Sequence, residues 1–302
     1  MTAQNQPLKG IFVPNIAPYD SSGKLNEKEL RKIVSWLIEK GVNGLYPNGS
    51  MGEFIRLSLE ERMRVVEIIA DETQGRVPIL AGAAEANIDQ VLQVCERCTE
   101  LGCRAVSVTG PYYYTVSQDS IEHYFRELAR QSPIDIVVYN IPAFANEISL
   151  PVLKRLSTDC PRIIGTKDSS ADMTRMLHIL NDIKRARPDF SVLVGWEGIF
   201  VPSLLMGADG GTLSTAGVVP EVFVQMYRHF LNGETEDCKA LQFKIMELFR
   251  TLLEATNFPE GFREGYTLRG FDVGRARQPL SPKEEEEMKK ISTRIAGLLA
   301  EF

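Results

Sequence analysis

The sequence has no apolar run approaching the ~18 residues that a bilayer-spanning helix requires, so no membrane span is expected. It has no basic block either. Lysine and arginine are scattered and the net charge is −6, which argues against a nucleic-acid face. Histidine is scarce: His123, His178 and His229 fall in three separate helical patterns. The cysteines number five, an odd count, and only Cys95 and Cys98 are spaced as a pair, inside a helical pattern with no second pair elsewhere. These shortages exclude a disulfide framework and disfavour a four-ligand zinc site. No GxGxxG follows the first strand pattern, which weakens the case for an open dinucleotide-binding sheet. The opening MTAQNQPLKG lacks the charged-then-apolar order of a signal peptide. A cytoplasmic protein with reduced cysteines is the expectation.

What is present is ordinary globular composition, 44% hydrophobic and 25% charged over 302 residues. Short apolar runs alternate with helical periodicity. Strands are expected at 11–15, 44–47, 78–81, 105–109, 134–139, 163–167, 192–195 and 210–213. A helix follows each, at 27–40, 59–73, 88–101, 120–131, 152–156, 173–183, 200–206 and 221–231. Ser58 and Glu61 form a capping box before the second helix. Alternation of this kind implies βαβ units and a parallel sheet, and eight units favour a closed (β/α)8 TIM barrel, an α/β fold. Two further helices are expected, at 235–255 and 282–299, the latter opened by Ser281, Pro282 and Glu284. The expected organisation is therefore a catalytic barrel over 1–232 and a helical extension over 233–302 packed on it.

Barrel enzymes carry their chemistry at the C-terminal ends of the strands. Lys167 closes an otherwise apolar strand there. A dry barrel mouth disfavours its charged form and frees the amine as a nucleophile. Taken alone, snorkelling to water or pairing with Asp168 is the simpler account. Tyr139, on the neighbouring strand, is a candidate proton shuttle, or else a packed aromatic with a bonded hydroxyl. Residues 49–53, G-S-M-G-E, form a glycine-flanked turn whose amides suit an anion, although an ordinary loop would read the same way.

The order G-S-M-G-E, then P-Y-Y at 111–113, Y-N-I-P at 139–142 and G-T-K-D at 165–168 resembles the dihydrodipicolinate synthase / N-acetylneuraminate lyase family, from about Lys9 to about Gly274. The first loop, Ala17-Pro18-Tyr19-Asp20 with Gly23 and Leu25, is similar to that family's, with alanine where threonine is usual. The resemblance implies that Lys167 forms an imine with pyruvate and that Tyr139 relays the proton. It implies that Ser50 bonds this tyrosine and helps Gly49 and Met51 to hold the substrate carboxylate. Tyr113 matches a tyrosine often lent across a dimer interface. A homotetramer built as a dimer of dimers is implied. No metal and no cofactor are implied beyond the covalent imine with Lys167.

Departures from the family pattern narrow the substrate. Met51 stands where a second threonine is usual. Phe144 stands where synthases carry an arginine for a second carboxylate, which points away from lysine biosynthesis. Gly195-Trp196-Glu197-Gly198 keeps one acid of the sialic acid lyases' Gly-Tyr-Asp-Glu, so Glu197 remains a candidate for a substrate hydroxyl; Gly210-Gly211 through Ser214 is similar to the same lyases. Lys167-Asp168-Ser169 with Asp172 and Thr174 looks more like aldolases for 2-keto-3-deoxy sugar acids or 4-hydroxy-2-oxo acids. The expected partners are thus a small 2-oxo acid and an aldehyde, with Gly49, Met51, Phe144, Ser169, Glu197 and Ser214 as binding candidates. Trp196 and Phe144 fit a pocket lining and core packing equally. The alternatives are a dihydrodipicolinate synthase, an N-acetylneuraminate lyase, a 2-keto-3-deoxy acid dehydratase, or an inactive 2-oxo acid binding relative. Retention of Lys167, Tyr139 and Ser50 together argues against the last. The lack of a histidine cluster disfavours a metal-dependent class II aldolase.

Overall fold

The computed structural model describes residues 8–302; of the opening stretch read for a signal pattern, residues 1–7 lie outside the described residues. Eight strands alternate with helices: β1 (Gly10–Pro14), α1 (Glu27–Glu39), β2 (Gly44–Tyr46), α2 (Leu59–Thr73), β3 (Leu80–Gly82), α3 (Ile88–Glu100), β4 (Ala105–Thr109), α4 (Gln118–Gln131), β5 (Ile136–Asn140), α5 (Leu150–Asp159), β6 (Ile163–Asp168), α6 (Met173–His178), β7 (Ser191–Val194), α7 (Phe200–Leu205), β8 (Gly210–Thr212) and α8 (Pro220–Asn232). Three helices follow: α9 (Thr235–Leu253), α10 (Glu260–Leu268) and α11 (Pro282–Leu299).

The strands lie in the order β2-β1-β8-β7-β6-β5-β4-β3. A parallel bridge from Leu45 to Ile79 joins the two ends of that order, so the eight-stranded sheet closes. This is the (β/α)8 barrel expected from the alternation. Strand side chains alternate between faces. The inward set includes Phe12, Tyr46, Leu80, Ala105, Val137 and Leu193, which pack together with Leu8 as one cluster at 0–1% exposure. Burial of that set, rather than local propensity, is what fixes the register of each short strand.

Packing divides the chain into two compact units. The first holds residues up to Phe12, Asn43–Tyr46 and Pro78–Thr212, and so contains every paired strand residue together with α3 to α7. The second holds Val13–Val42, Pro47–Val77 and Leu213–Phe302, and so contains α1, α2 and α8 to α11.

Both expected capping boxes are present, Ser58 with Glu61 and Ser281 with Glu284. One helix was not legible. α10 reads E-G-F-R-E-G-Y-T-L, and two glycines in nine residues depress helix propensity. Tertiary packing overrides that cost: a Cβ at Gly261 would lie 2.2 Å from the Leu252 carbonyl oxygen, so only glycine lets α10 approach α9 so closely. The helix expected at 173–183 changes winding midway, from α6 to a π-helical stretch at Ile179–Lys184. No helix among the described residues is long and apolar enough to cross a membrane.

Candidate active site

Within the first unit, the ends of adjacent strands set up one row of side chains. Thr109 of β4 pairs in register with Tyr139 of β5, Tyr139 with Lys167 of β6, and Lys167 with Leu193 of β7. Lys167 is 4% exposed. Its Nζ lies 3.9 Å from the centre of the Tyr139 ring and 4.4 Å from that of Tyr46. Space for its stem depends on Gly195: a Cβ there would stand 3.0 Å from Lys167 Cε and closer still to Ser169 Oγ. Snorkelling is therefore not what this lysine does.

Pairing with Asp168 is not its role either. The Asp168 carboxylate accepts from Asn140 Nδ2 at 2.9 Å, from Arg175 Nε at 2.7 Å and from the Ser170 amide at 3.0 Å. Asn140 Oδ1 in turn accepts from the Ile148 amide at 3.0 Å, and Arg175 donates to the Ile148 carbonyl at 2.6 Å. The acid next to Lys167 in sequence is thus fully engaged in bracing the loop after β5.

Burial pushes the Lys167 amine below the usual lysine range; the Tyr139 hydroxyl, by charge and hydrogen bond, and the charge of Glu197 pull the other way and do not offset it. Desolvation disfavours the ammonium form, and the attraction of the Glu197 carboxylate does not offset it. The arrangement holds a largely dry primary amine at the C-terminal end of a barrel strand, able to add to a carbonyl.

Tyr46 was not singled out from the sequence. It ends β2, and its hydroxyl donates to Ser107 Oγ at 3.3 Å. Its ring meets that of Tyr139 edge-on, 6.3 Å between centres at 78°. Burial, then the proximity of Tyr139, drives its phenol far above the ordinary tyrosine value, against the Ser107 bond. The strand-end rule that flagged Lys167 and Tyr139 applies equally to Tyr46, so the signal was present.

The other candidates in the first unit differ in exposure. Glu197 is 2% exposed. Ser169 Oγ donates to the Gly195 carbonyl at 3.2 Å, and the Ser169 amide to the Asn140 carbonyl at 2.9 Å. Phe144 stands 59% exposed in the turn after Pro142. Tyr113 is 89% exposed with a positive φ of 73°, its ring edge-on to Tyr114 at 4.9 Å. Asn146 holds that loop, donating to the Pro111 and Tyr114 carbonyls at 2.6 and 2.7 Å.

Gly49, Ser50, Met51 and Ser214 lie in the second unit. Gly49 and Met51 are buried and Ser50 is half-buried. The turn is closed by the Gly52 amide on the Gly49 carbonyl at 3.0 Å and the Glu53 amide on the Ser50 carbonyl at 3.1 Å. Glu53 takes a left-handed backbone, φ 52°, and its carboxylate bonds Arg56 at 2.6 Å and, very closely, Arg263. Ser214 is half-buried and accepts the Gly217 amide on its carbonyl at 3.0 Å. The second unit also brings His229, Glu234 and Asp237 together, their ligand atoms within 4.8 Å of one another; His229 already bonds Glu234, and both acids are exposed.

The sequence model of the dihydrodipicolinate synthetase family matches residues 7–297. A DapA-like lyase of Pyrococcus horikoshii is 32% identical over 285 residues, covering 94% of this chain and 98% of that one. A probable 2-dehydro-3-deoxy-D-pentonate aldolase of Escherichia coli is 28% identical over 242 residues, 80% of each chain. Among solved structures, YagE of E. coli K12, a prophage protein of the dihydrodipicolinic acid synthase family crystallised with pyruvate, superposes with a TM-score of 0.91 at 26% identity, covering 96% of this chain and 98% of that one. The chain belongs to the dihydrodipicolinate synthetase family and is a lyase.

Proposed function

We propose that this lyase is a class I aldolase that cleaves or forms a 2-keto-3-deoxy sugar acid or a 4-hydroxy-2-oxo acid, with pyruvate as the imine-bound half and Lys167 as nucleophile. One observation carries the reading: the Lys167 amine is buried, held between two tyrosine rings, and shifted toward its neutral form by desolvation. The likeness to a probable 2-dehydro-3-deoxy-D-pentonate aldolase of E. coli and to the pyruvate-bound YagE supports the same substrate class.

The chemistry follows from that amine. It attacks C2 of the 2-oxo acid; the C2–N bond forms and the carbonyl oxygen, taking a proton from Tyr139, leaves as water, giving a cationic imine and a Tyr139 phenolate. The C3–C4 bond breaks with its electron pair passing into the iminium. The C4 hydroxyl proton goes to Tyr139, and an aldehyde departs from the resulting enamine. Protonation at C3 and attack of water at C2 then release pyruvate and free Lys167. The electron sink is the iminium itself, so the reading calls for neither metal nor cofactor. Holding the carboxylate is assigned to Gly49, Ser50 and Met51 on the family resemblance, and Glu197 to a substrate hydroxyl.

A synthase activity has some support in a Methanothrix thermoacetophila relative named 4-hydroxy-tetrahydrodipicolinate synthase, 31% identical over 299 residues. Phe144 weighs against it, since a phenyl ring cannot pair with a second carboxylate. We infer a homo-oligomer, a dimer of dimers, with the exposed Tyr113 at an interface, and a cytoplasmic location, which suits five free, buried cysteines. The test is borohydride trapping with pyruvate, read by intact-mass and peptide mass spectrometry. The expected result is one reduced pyruvyl adduct on Lys167. Folded protein that yields no adduct in excess pyruvate would overturn the aldolase reading.

A further inference from the structure

The amine of Lys167 has two aromatic neighbours, and the reaction as written uses only one. Tyr139 has a proton to move. Tyr46 has none that the chemistry requires, yet it is held as firmly: it is 1% exposed, ends β2, and its hydroxyl is tied to Ser107 Oγ across to β4 at 3.3 Å. Its ring centre is 4.4 Å from Lys167 Nζ, well inside the ~6 Å over which a ring face attracts a cation. Because the Tyr46 and Tyr139 planes meet at 78°, the nitrogen sits in the angle between two ring faces.

Such a seat treats the charged forms of that nitrogen differently. An ammonium is compact and strongly hydrated, so a dry pocket costs it heavily. An iminium is planar, spreads its charge over nitrogen and carbon, and has at most one N–H to lose from water. It suffers less from desolvation and still gains the electrostatic attraction of the ring face. By walling the nitrogen off from water the two rings disfavour the resting ammonium, while their faces still attract the less hydrated covalent cation, which is the difference catalysis requires.

Resting on the aldolase reading above, we propose that Tyr46 is a further catalytic residue: its ring, with that of Tyr139, forms a two-sided aromatic seat that selects the iminium of Lys167 over the ammonium. The ring face acts, and the hydroxyl only holds the ring in place.

The experiment is the rate of borohydride-trapped pyruvyl adduct formation on Lys167 across pH. It compares the wild type, Tyr46→Phe, Tyr46→Leu, and a series in which residue 46 is phenylalanine with increasing ring fluorination. Fluorine drains the ring face while nearly preserving its shape, so the series separates electrostatics from packing and keeps the test open if Tyr46→Leu does not fold. Tyr46→Phe should trap within about twofold of the wild type with the same pH midpoint, because the ring face remains. Tyr46→Leu should trap roughly tenfold more slowly at neutral pH, with its midpoint moved up as water reaches the amine. The fluorinated series should slow stepwise with each added fluorine. A flat fluorine series, or Tyr46→Phe as slow as Tyr46→Leu, would overturn the inference and leave the aldolase reading intact. A wild type that forms no adduct would overturn both.

Discussion

Removing the Glu53 carboxylate should destabilise the second unit severely, and the reason lies in which arginine it strands. Glu53 and Arg263 have side chains only 1% and 3% exposed and form a very close ion pair. Arg263 also donates to the Val273 carbonyl at 2.7 Å and, at 3.3 Å, to that of Ala17, while the next carboxylate, Glu260, stands 3.6 Å away. Arg56, the other partner of Glu53, has a side chain 26% exposed and can turn to water. Glu53→Leu therefore leaves the Arg263 guanidinium buried with only the longer ion pair to Glu260, at 3.6 Å. Breaking a buried pair in this way costs about 3–5 kcal/mol. Arg263→Met should cost less, because Glu53 keeps Arg56 at 2.6 Å. The double variant Glu53→Leu/Arg263→Met should recover much of the loss, since two apolar side chains of similar volume replace the pair. The assay is urea unfolding of the wild type, both single variants and the double variant. Additive losses, or a Glu53→Leu cost under about 1 kcal/mol, would refute the reasoning, because that is the range of a solvent-screened pair.

Further outcomes follow from the candidate site. Lys167→Ala should abolish turnover and adduct formation, and full retained activity would remove the imine mechanism. Lys167→Met should be more stable than the wild type at neutral pH. Burial depresses the folded-state pKa of Lys167 below the unfolded value of 10.5, so the unfolded chain binds more protons between the two values and stability rises with pH across that window. The penalty is fully present below the folded pKa and gone above 10.5; denaturant titrations should show the advantage of the variant shrinking as pH rises, and a constant advantage would contradict the assignment. Phe144→Arg should change aldehyde preference more than it changes KM for pyruvate, measured over a panel of aldehydes; equal losses for both halves would take Phe144 out of the substrate pocket.

Much of the barrel was legible because its signals are local. Alternating apolar runs, the Ser58 and Ser281 capping boxes and Pro282 at the first helical position are read within a few residues of each other. α10 was not legible, because Gly261 lowers propensity locally and is repaid only by contact with Leu252 in α9. The switch to π winding at Ile179 likewise leaves no mark in the apolar spacing. Lys167 and Tyr139 could be named from strand ends, but whether the lysine reached water, paired with Asp168 or stayed dry depended on groups far along the chain.

By itself the sequence determined the strand and helix alternation, the eightfold count and the family motifs, since periodicity and short-range hydrogen bonding are encoded residue by residue. Only the tertiary structure decided that Arg175, Asn140 and Ser170 occupy Asp168, that Gly195 leaves room for the lysine stem, and that Tyr46, 121 positions before Lys167, supplies a second ring face. Burial and pairing depend on which strands become neighbours when the sheet closes. No stretch of chain shorter than the barrel carries that information.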